Sequence, residues 1–137
     1  MRYFSKTNES AELPQRATSG SAGYDIRVLE GDTVFPGETI VFRAGIRVHM
    51  ESSDVLLMFV RSSVGIKRHL MMSTGTSVID SDFCDEIMIP LTNIGDEPVE
   101  IKSGERVAQG IFMNYLTTTN DNTNGERNGG IGSTGAK

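Results

Sequence analysis

The chain has 137 residues, with 13 Lys plus Arg against 18 Asp plus Glu, a net charge of −5. That is one domain's worth of chain, long enough for a core without metal or disulfide staples, and its acidity argues against duplex binding, which rests on neutralising phosphates. The one cysteine, Cys84, excludes an internal disulfide framework and fits a reducing, cytoplasmic compartment. No apolar run approaches the roughly 18 residues of a membrane span, and residues 1–15 carry no apolar signal region. Neither nucleic acid nor membrane is expected as a partner.

In chain order, the first candidate element opens at Ala22-Gly23-Tyr24-Asp25, where a glycine precedes an acid at the start of a strand. Between residues 40 and 50 every even position is apolar (Ile40, Phe42, Ala44, Ile46, Val48, Met50), which predicts a half-buried strand or a strand pair bent at Gly45. The continuous apolar run 55–60 predicts a strand covered on both faces. The best short helix is 63–68, with Ser62 as its cap. Ile87, Ile89 and Leu91 alternate, as do Val107, Ile111, Met113 and Tyr115. Turn signals at Pro36-Gly37, Gly95-Asp96 and Ser103-Gly104 separate the runs. Many short strands and very little helix predict an all-β fold, a jelly-roll-like β-barrel, over residues 1–116. Residues 117–137 differ, with five Gly, four Asn and five Thr and no large apolar residue except Ile131. They cannot bury enough apolar surface to order alone and are expected to form a flexible C-terminal arm.

Four segments of the barrel and one of the arm stand out for the chemistry of their residues. Asp25 stands at a strand start behind Gly23. Arg61-Ser62-Ser63-Val64-Gly65 follows an apolar strand and opens the helix, a place where hydroxyls and backbone N–H groups meet anions and an arginine adds a fork of donors. Asp80 follows two β-branched apolar residues, Val78 and Ile79, and a carboxylate held at a barrel rim can act as a general base. Gln109 shares its parity with Val107 and Ile111, so it is expected to point with the apolar side chains and to need hydrogen-bond partners. In the arm, Arg127-Asn128-Gly129-Gly130-Ile131-Gly132-Ser133-Thr134-Gly135 combines closely spaced glycines, which let backbone N–H groups approach anionic oxygens, with Arg, Ser and Thr donors.

Taken together and in this order, the five segments resemble the trimeric deoxyuridine triphosphate nucleotidohydrolases (dUTPases). The family's A-G-x-D matches residues 22–25, R-S-S-x-G matches 61–65, and I-D-x-D-[YF] matches 79–83. G-[DE]-R-[IV]-A-Q matches 104–109, and R-x-G-G-x-G-S-[TS]-G matches 127–135. The resemblance implies a homotrimer of jelly-roll-like subunits with shared active sites, the fifth segment being the arm of a neighbour. It implies hydrolysis of dUTP to dUMP and pyrophosphate, with Mg²⁺ on the phosphates and water attacking the α-phosphorus. Carried over residue by residue, Asp80 is the base that orients and deprotonates the water, and Phe83 lies against the deoxyribose. The strand pair around residues 74–79, with Thr74, Val78 and Ile79, holds uracil largely by backbone hydrogen bonds. Asp25 holds waters of the Mg²⁺ shell. Ser62, Ser63, Gly65 and Gln109 bind the phosphates, and Arg61 braces this region against phosphate or a neighbouring acid. Arg127, Gly132, Ser133 and Thr134 close over the β- and γ-phosphates, with Ile131 over the base. Arg106 is a structural ion-pair partner.

Three positions depart from the pattern: Ile131 replaces a Phe that stacks on uracil, Asp85 replaces a Gly, and Thr74 replaces an Asn. Two alternatives accompany the hydrolase reading. A dCTP deaminase shares I-D-x-x-F, but the position of its catalytic Glu on the following strand is Pro90 here, which cannot act as acid or base. A nucleotide-dependent regulatory module on the same fold would instead dock to a protein partner according to its dUTP state.

Overall fold

Short strands alternating in hydrophobicity make up nearly all the regular secondary structure of the molecule, a computed structural model that describes residues 1–127, 129–130 and 134–135. Ile131, Gly132 and Ser133, expected to belong to the arm's ligand contacts, lie outside the described residues. In chain order the elements are β1 (Tyr3–Lys6), β2 (Tyr24–Arg27), β3 (Asp32–Val34), β4 (Thr39–Arg43), β5 (Ile46–His49), β6 (Asp54–Val60), α1 (Ser62–Arg68), β7 (Leu70–Met72), β8 (Ser77–Ile79), β9 (Met88–Asn93), β10 (Val99–Ile101) and β11 (Arg106–Asn114). The strands pair antiparallel throughout, in the orders β2-β11-β6-β8, β4-β9-β7, β1-β5 and β3-β10. Neighbours in each sheet are distant in sequence, the interleaving expected of a jelly roll. Among the described residues, no helix is long and apolar enough to cross a membrane.

The alternation at residues 40–50 resolves into the strand pair β4 and β5, with Gly45 at φ +72 turning the chain from one sheet into another. Phe42, Ala44, Ile46 and Val48 are buried. Ile87, Ile89 and Leu91 are fully buried and join Ile26, Leu56, Met58, Leu70, Met72 and Ile101 in one core. Pro90 sits inside β9, the middle strand of its sheet. Its carbonyl accepts from Ser73 N at 2.9 Å, so its missing N–H falls where β7 has just ended and no ladder bond is lost.

Three expectations are corrected. The helix starts one residue early: Ser62 is already helical, Arg61 is the extended N-cap, and no side chain caps it. The strand β6 buries only one face; Val55, Leu57 and Phe59, on the other, are half-buried. In β11 the pairing with β2 shifts between Arg106 and Ala108, a β-bulge that turns both Val107 and Ala108 into the core. Beyond the bulge Gly110 stays on the core side, where an added Cβ would lie 2.9 Å from Leu56 Cδ1. Gln109, Ile111 and Met113 face outward, so Gln109 shares a face with Ile111 and not with Val107.

Candidate active site

β8 pairs with β6 through Ile79↔Leu56 and Val78↔Leu57, and the chain leaves the ladder at Asp80. Phe83 N donates to the Asp80 carbonyl at 3.1 Å, closing a turn that holds Asp80 at the rim with a half-exposed side chain. Beneath it lies a cavity of about 550 Å³. Thr74, Thr76, Ser77, Val78, Ile79, Asp80 and Phe83 form one wall, and Val41, Ile87, Met88 and Pro90 another; Arg127, Gly130 and Thr134 of the arm also line it. The strand pair expected around residues 74–79 is not a ladder: β7 pairs with β9 and β8 with β6. The cavity opens where these two sheets diverge, across a turn at Gly75 (φ +75) in which the Thr74 and Ser77 hydroxyls share a hydrogen bond of 2.7 Å. The slot therefore sets the polar side chains of Thr74, Thr76, Ser77 and Asp80 beside the apolar Val41, Ile79, Phe83, Ile87 and Met88, the mixture of apolar walls and a few polar groups usual for a small-molecule site.

Arg127 reaches this turn from the arm. Its Nε donates to Asp82 Oδ1 at 2.9 Å, its Nη2 donates to Asp80 Oδ2, and its guanidinium carbon lies 5.9 Å from the Phe83 ring centroid. The hydrogen bond it donates to Asp82 chiefly, with the charge of both acids, raises the Arg127 pKa above its ordinary value. The expected place of Arg127 is over phosphates; in the single chain its fork of donors takes the nearest carboxylates. Gly130 follows so closely that a Cβ there would lie 2.8 Å from Asp85 Oδ2.

A second cluster is built on β2, β6 and β11. Gln109 is in register with Asp25 on one side and Phe59 on the other. Asp25 is largely buried, with Arg61 Nε 3.3 Å from one oxygen and Arg106 Nη1 3.4 Å from the other. Arg61 and Arg106 thus lie against the same carboxylate. The Gln109 amide donates to the Val60 carbonyl at 3.4 Å. Gly23 makes this packing possible, since a Cβ there would lie 2.4 Å from Gln109 Oε1. Ser62 and Ser63 are exposed and Gly65 half-buried at the opening of α1, directly after Arg61. Among the described residues no group of three or more acids, histidines or cysteines could hold a metal by itself.

The two clusters do not meet within the chain. Three strand spacings of about 4.8 Å separate β2 from β8, and four residues at about 3.4 Å separate the Gln109 level of β11 from the Met113 level nearest Asp80, a span of roughly 20 Å.

Residues 9–135 match the dUTPase family. The chain belongs to the dUTPase family. The deoxyuridine 5'-triphosphate nucleotidohydrolase of Lactococcus lactis subsp. lactis is 38% identical over 137 residues, covering 94% of this chain and 91% of the relative. That of Desulfitobacterium hafniense is 35% identical over 139 residues, covering 95% and 91%. The crystal structure of dUTPase from Streptococcus mutans superposes with TM-score 0.78 at 31% identity, over 85% of this chain and 98% of that one. The Staphylococcus bacteriophage 80alpha dUTPase superposes at 0.82 with 22% identity over 90% and 96%, a likeness of fold alone. As a dUTPase-family enzyme the chain is a dUTP diphosphatase. Against the family motifs, the cavity residues Val41, Met88 and Pro90 and the arm partner Asp82 went unassigned from sequence. Asp82 stands inside I-D-x-D, a signal for importance but not for role, and the others come from strands that carry no motif.

Proposed function

We propose that this dUTPase-family chain hydrolyses dUTP to dUMP and pyrophosphate in sites composed from three copies, with residues 117–137 serving as the arm. The supporting observation is the separation of its two clusters: one chain sets Asp80 and Phe83 beside a nucleoside-sized cavity, and its Arg61–Asp25–Gln109 cluster lies roughly 20 Å away across the same sheet. A second copy brought against the first would place a phosphate-binding cluster over the rim. The outward face of β6, β8 and β11, with Val55, Leu57, Val78, Ile111 and Met113 half-buried or exposed, is the apolar surface such an assembly would cover.

In this reading uracil enters the cavity against the backbone of residues 74–79, and Phe83 lies flat on the deoxyribose, leaving no room for a 2′-hydroxyl. Asp80 orients the attacking water and takes its proton as the α-phosphorus–oxygen bond to the leaving pyrophosphate breaks. Ser62, Ser63, Gly65 and Gln109 hold phosphate oxygens, and Arg127, Gly132, Ser133 and Thr134 close the arm over the β- and γ-phosphates. Ile131 covers the base by dispersion. The donor set fits Mg²⁺, which is usually held by one or two carboxylates together with substrate phosphates and keeps several waters. Asp25 is such a carboxylate, and its arginine contacts of 3.3 and 3.4 Å are long enough to yield to metal-bound water. The ion, when bound, supplies charge neutralisation on the triphosphate. Pro90 lines the cavity at the position where the deaminase alternative needs a Glu, and no acid–base group stands there.

The decisive experiment measures pyrophosphate release from dUTP and from each of the four normal deoxynucleoside triphosphates; dUTP alone should be turned over. A mixing test then addresses composition. An Asp80→Asn chain and a chain truncated before Gly125 should each be inactive and regain activity when refolded together. An active monomer, or no recovery on mixing, overturns the shared site.

A further inference from the structure

We infer that Glu105 is a positioning residue: paired with Arg68, it holds α1 against the start of β11 and so sets residues 62–65 relative to Gln109. The role rests on the reading of those residues as the phosphate ligands. α1 has little of its own to hold it. It is seven residues long, no side chain caps its start, no acid stands in its first turn, and Val64 is its one buried residue. A helix of that length is not stable by itself in water.

Both ends of the helix are fastened to one stretch of chain. At the start, Arg61 N donates to the Val107 carbonyl at 3.0 Å and Arg61 Nη1 to the Arg106 carbonyl at 3.3 Å. At the end, Arg68 Nη1 donates to Glu105 Oε1 and Arg68 Nη2 to the Glu100 carbonyl of β10. The acid is itself held in the turn that feeds β11: its other oxygen accepts from Lys102 N at 3.0 Å, and Glu105 N donates to the Lys102 carbonyl at 3.1 Å. Without Glu105, α1 is tied firmly at one end only, and residues 62–65 lose their fixed setting against Gln109. The side chains of Arg68 and Glu105 are 27% and 32% exposed, so the pair adds little to global stability and its loss falls on the placement of α1. The cavity beside Asp80 is lined by none of these residues.

Competitive inhibition of dUTP hydrolysis by the full chain separates the two halves of the site. Inorganic tripolyphosphate with Mg²⁺ probes the phosphate half, and deoxyuridine probes the cavity. Glu105→Gln and Arg68→Gln, which remove the charge pair without leaving a void, should each raise the inhibition constant of tripolyphosphate about fivefold, the size of one partly exposed ion pair. Neither should change the constant of deoxyuridine. The double variant should cost no more than either single one, because both remove the same contact. An unchanged tripolyphosphate constant overturns the inference, and so do additive losses in the double variant. Equal weakening of both probes also overturns it, since a loosened fold affects both halves alike. Gln109→Ala is the reference. If it leaves tripolyphosphate inhibition unchanged, the phosphate reading itself falls; if it weakens inhibition and Glu105→Gln does not, only the positioning role falls.

Discussion

The two halves of the site are built in opposite ways. The Asp25–Arg61–Arg106–Gln109 half stands on three adjacent strands of one sheet, its carboxylate largely buried and its glutamine seated against Gly23. The Asp80–Asp82–Phe83 half stands on a turn leaving a three-residue edge strand, its carboxylates exposed and its main partner an arginine from a glycine-rich arm. In the proposed mechanism the first half is preset for a ligand whose charges are always in the same place, and the second opens for substrate, closes for chemistry and opens again for product, a cycle that its few buried contacts suit. That difference explains why the turn is fastened elsewhere. Immediately after it, Glu86 accepts two hydrogen bonds from Arg43, at 2.8 and 3.0 Å, and one from Thr7, and Ile87 is tied to Ala44 and Ile46.

The comparison can be broken most forcefully at Asp80. Asp80→Asn should lower kcat by about 10²–10⁴, the range of a general base, while a non-hydrolysable dUTP analogue still binds by calorimetry. Retention of more than about a tenth of kcat would remove Asp80 from that role. In the preset half, Gly23→Ala drives a methyl against Gln109 Oε1 and should cost about 1–3 kcal/mol of stability by overpacking. It should also raise KM for dUTP, since Gln109 must move; an unchanged melting temperature and KM would show this seat to be soft. Arg61→Lys keeps the charge and loses the fork toward Asp25, and is expected to weaken triphosphate binding by about 0.5–1 kcal/mol. The smallest effect is the acid dependence of the turn's fastening. Arg43, chiefly through its hydrogen bonds, lowers the Glu86 pKa from 4.5 to about 2. Its contribution to stability is therefore full above about pH 4.5 and is lost as pH falls toward 2. The melting-temperature gap between the wild type and Glu86→Gln should shrink across that window; a constant gap would mean the pair does not titrate with folding.

Period-two alternation was enough to locate β4, β5 and β9, because the buried residues Phe42, Ile46, Val48, Ile89 and Leu91 repeat on one face. The face of Gln109 was not legible. It depends on a bulge at Arg106–Ala108, and one extra residue in a strand leaves no mark in composition. The start of α1 was misread because Ser62 is a good cap by type, yet Arg61 already has the extended backbone of the N-cap. Asp25 and Asp80 stood out because an acid at a strand end is chemically odd there. The pairing of Asp82 with Arg127, 45 residues away, could not be read from spacing, since nothing local to either residue names the other.

The bulge in β11 has a consequence for how this chain can change over time. Strand parity is a two-state code, and the extra residue resets it between the core's Val107 and the site's Gln109. Point substitutions on either side of it can therefore accumulate independently, core on one side and ligand contacts on the other. A single-codon insertion beyond it, between Gln109 and Gly110, would be different in kind: it would send Ile111 and Met113 inward together and turn Gly110 and Phe112 out. Lineages that keep this protein working should tolerate insertions in the loops on either side of β11 long before they tolerate one within it.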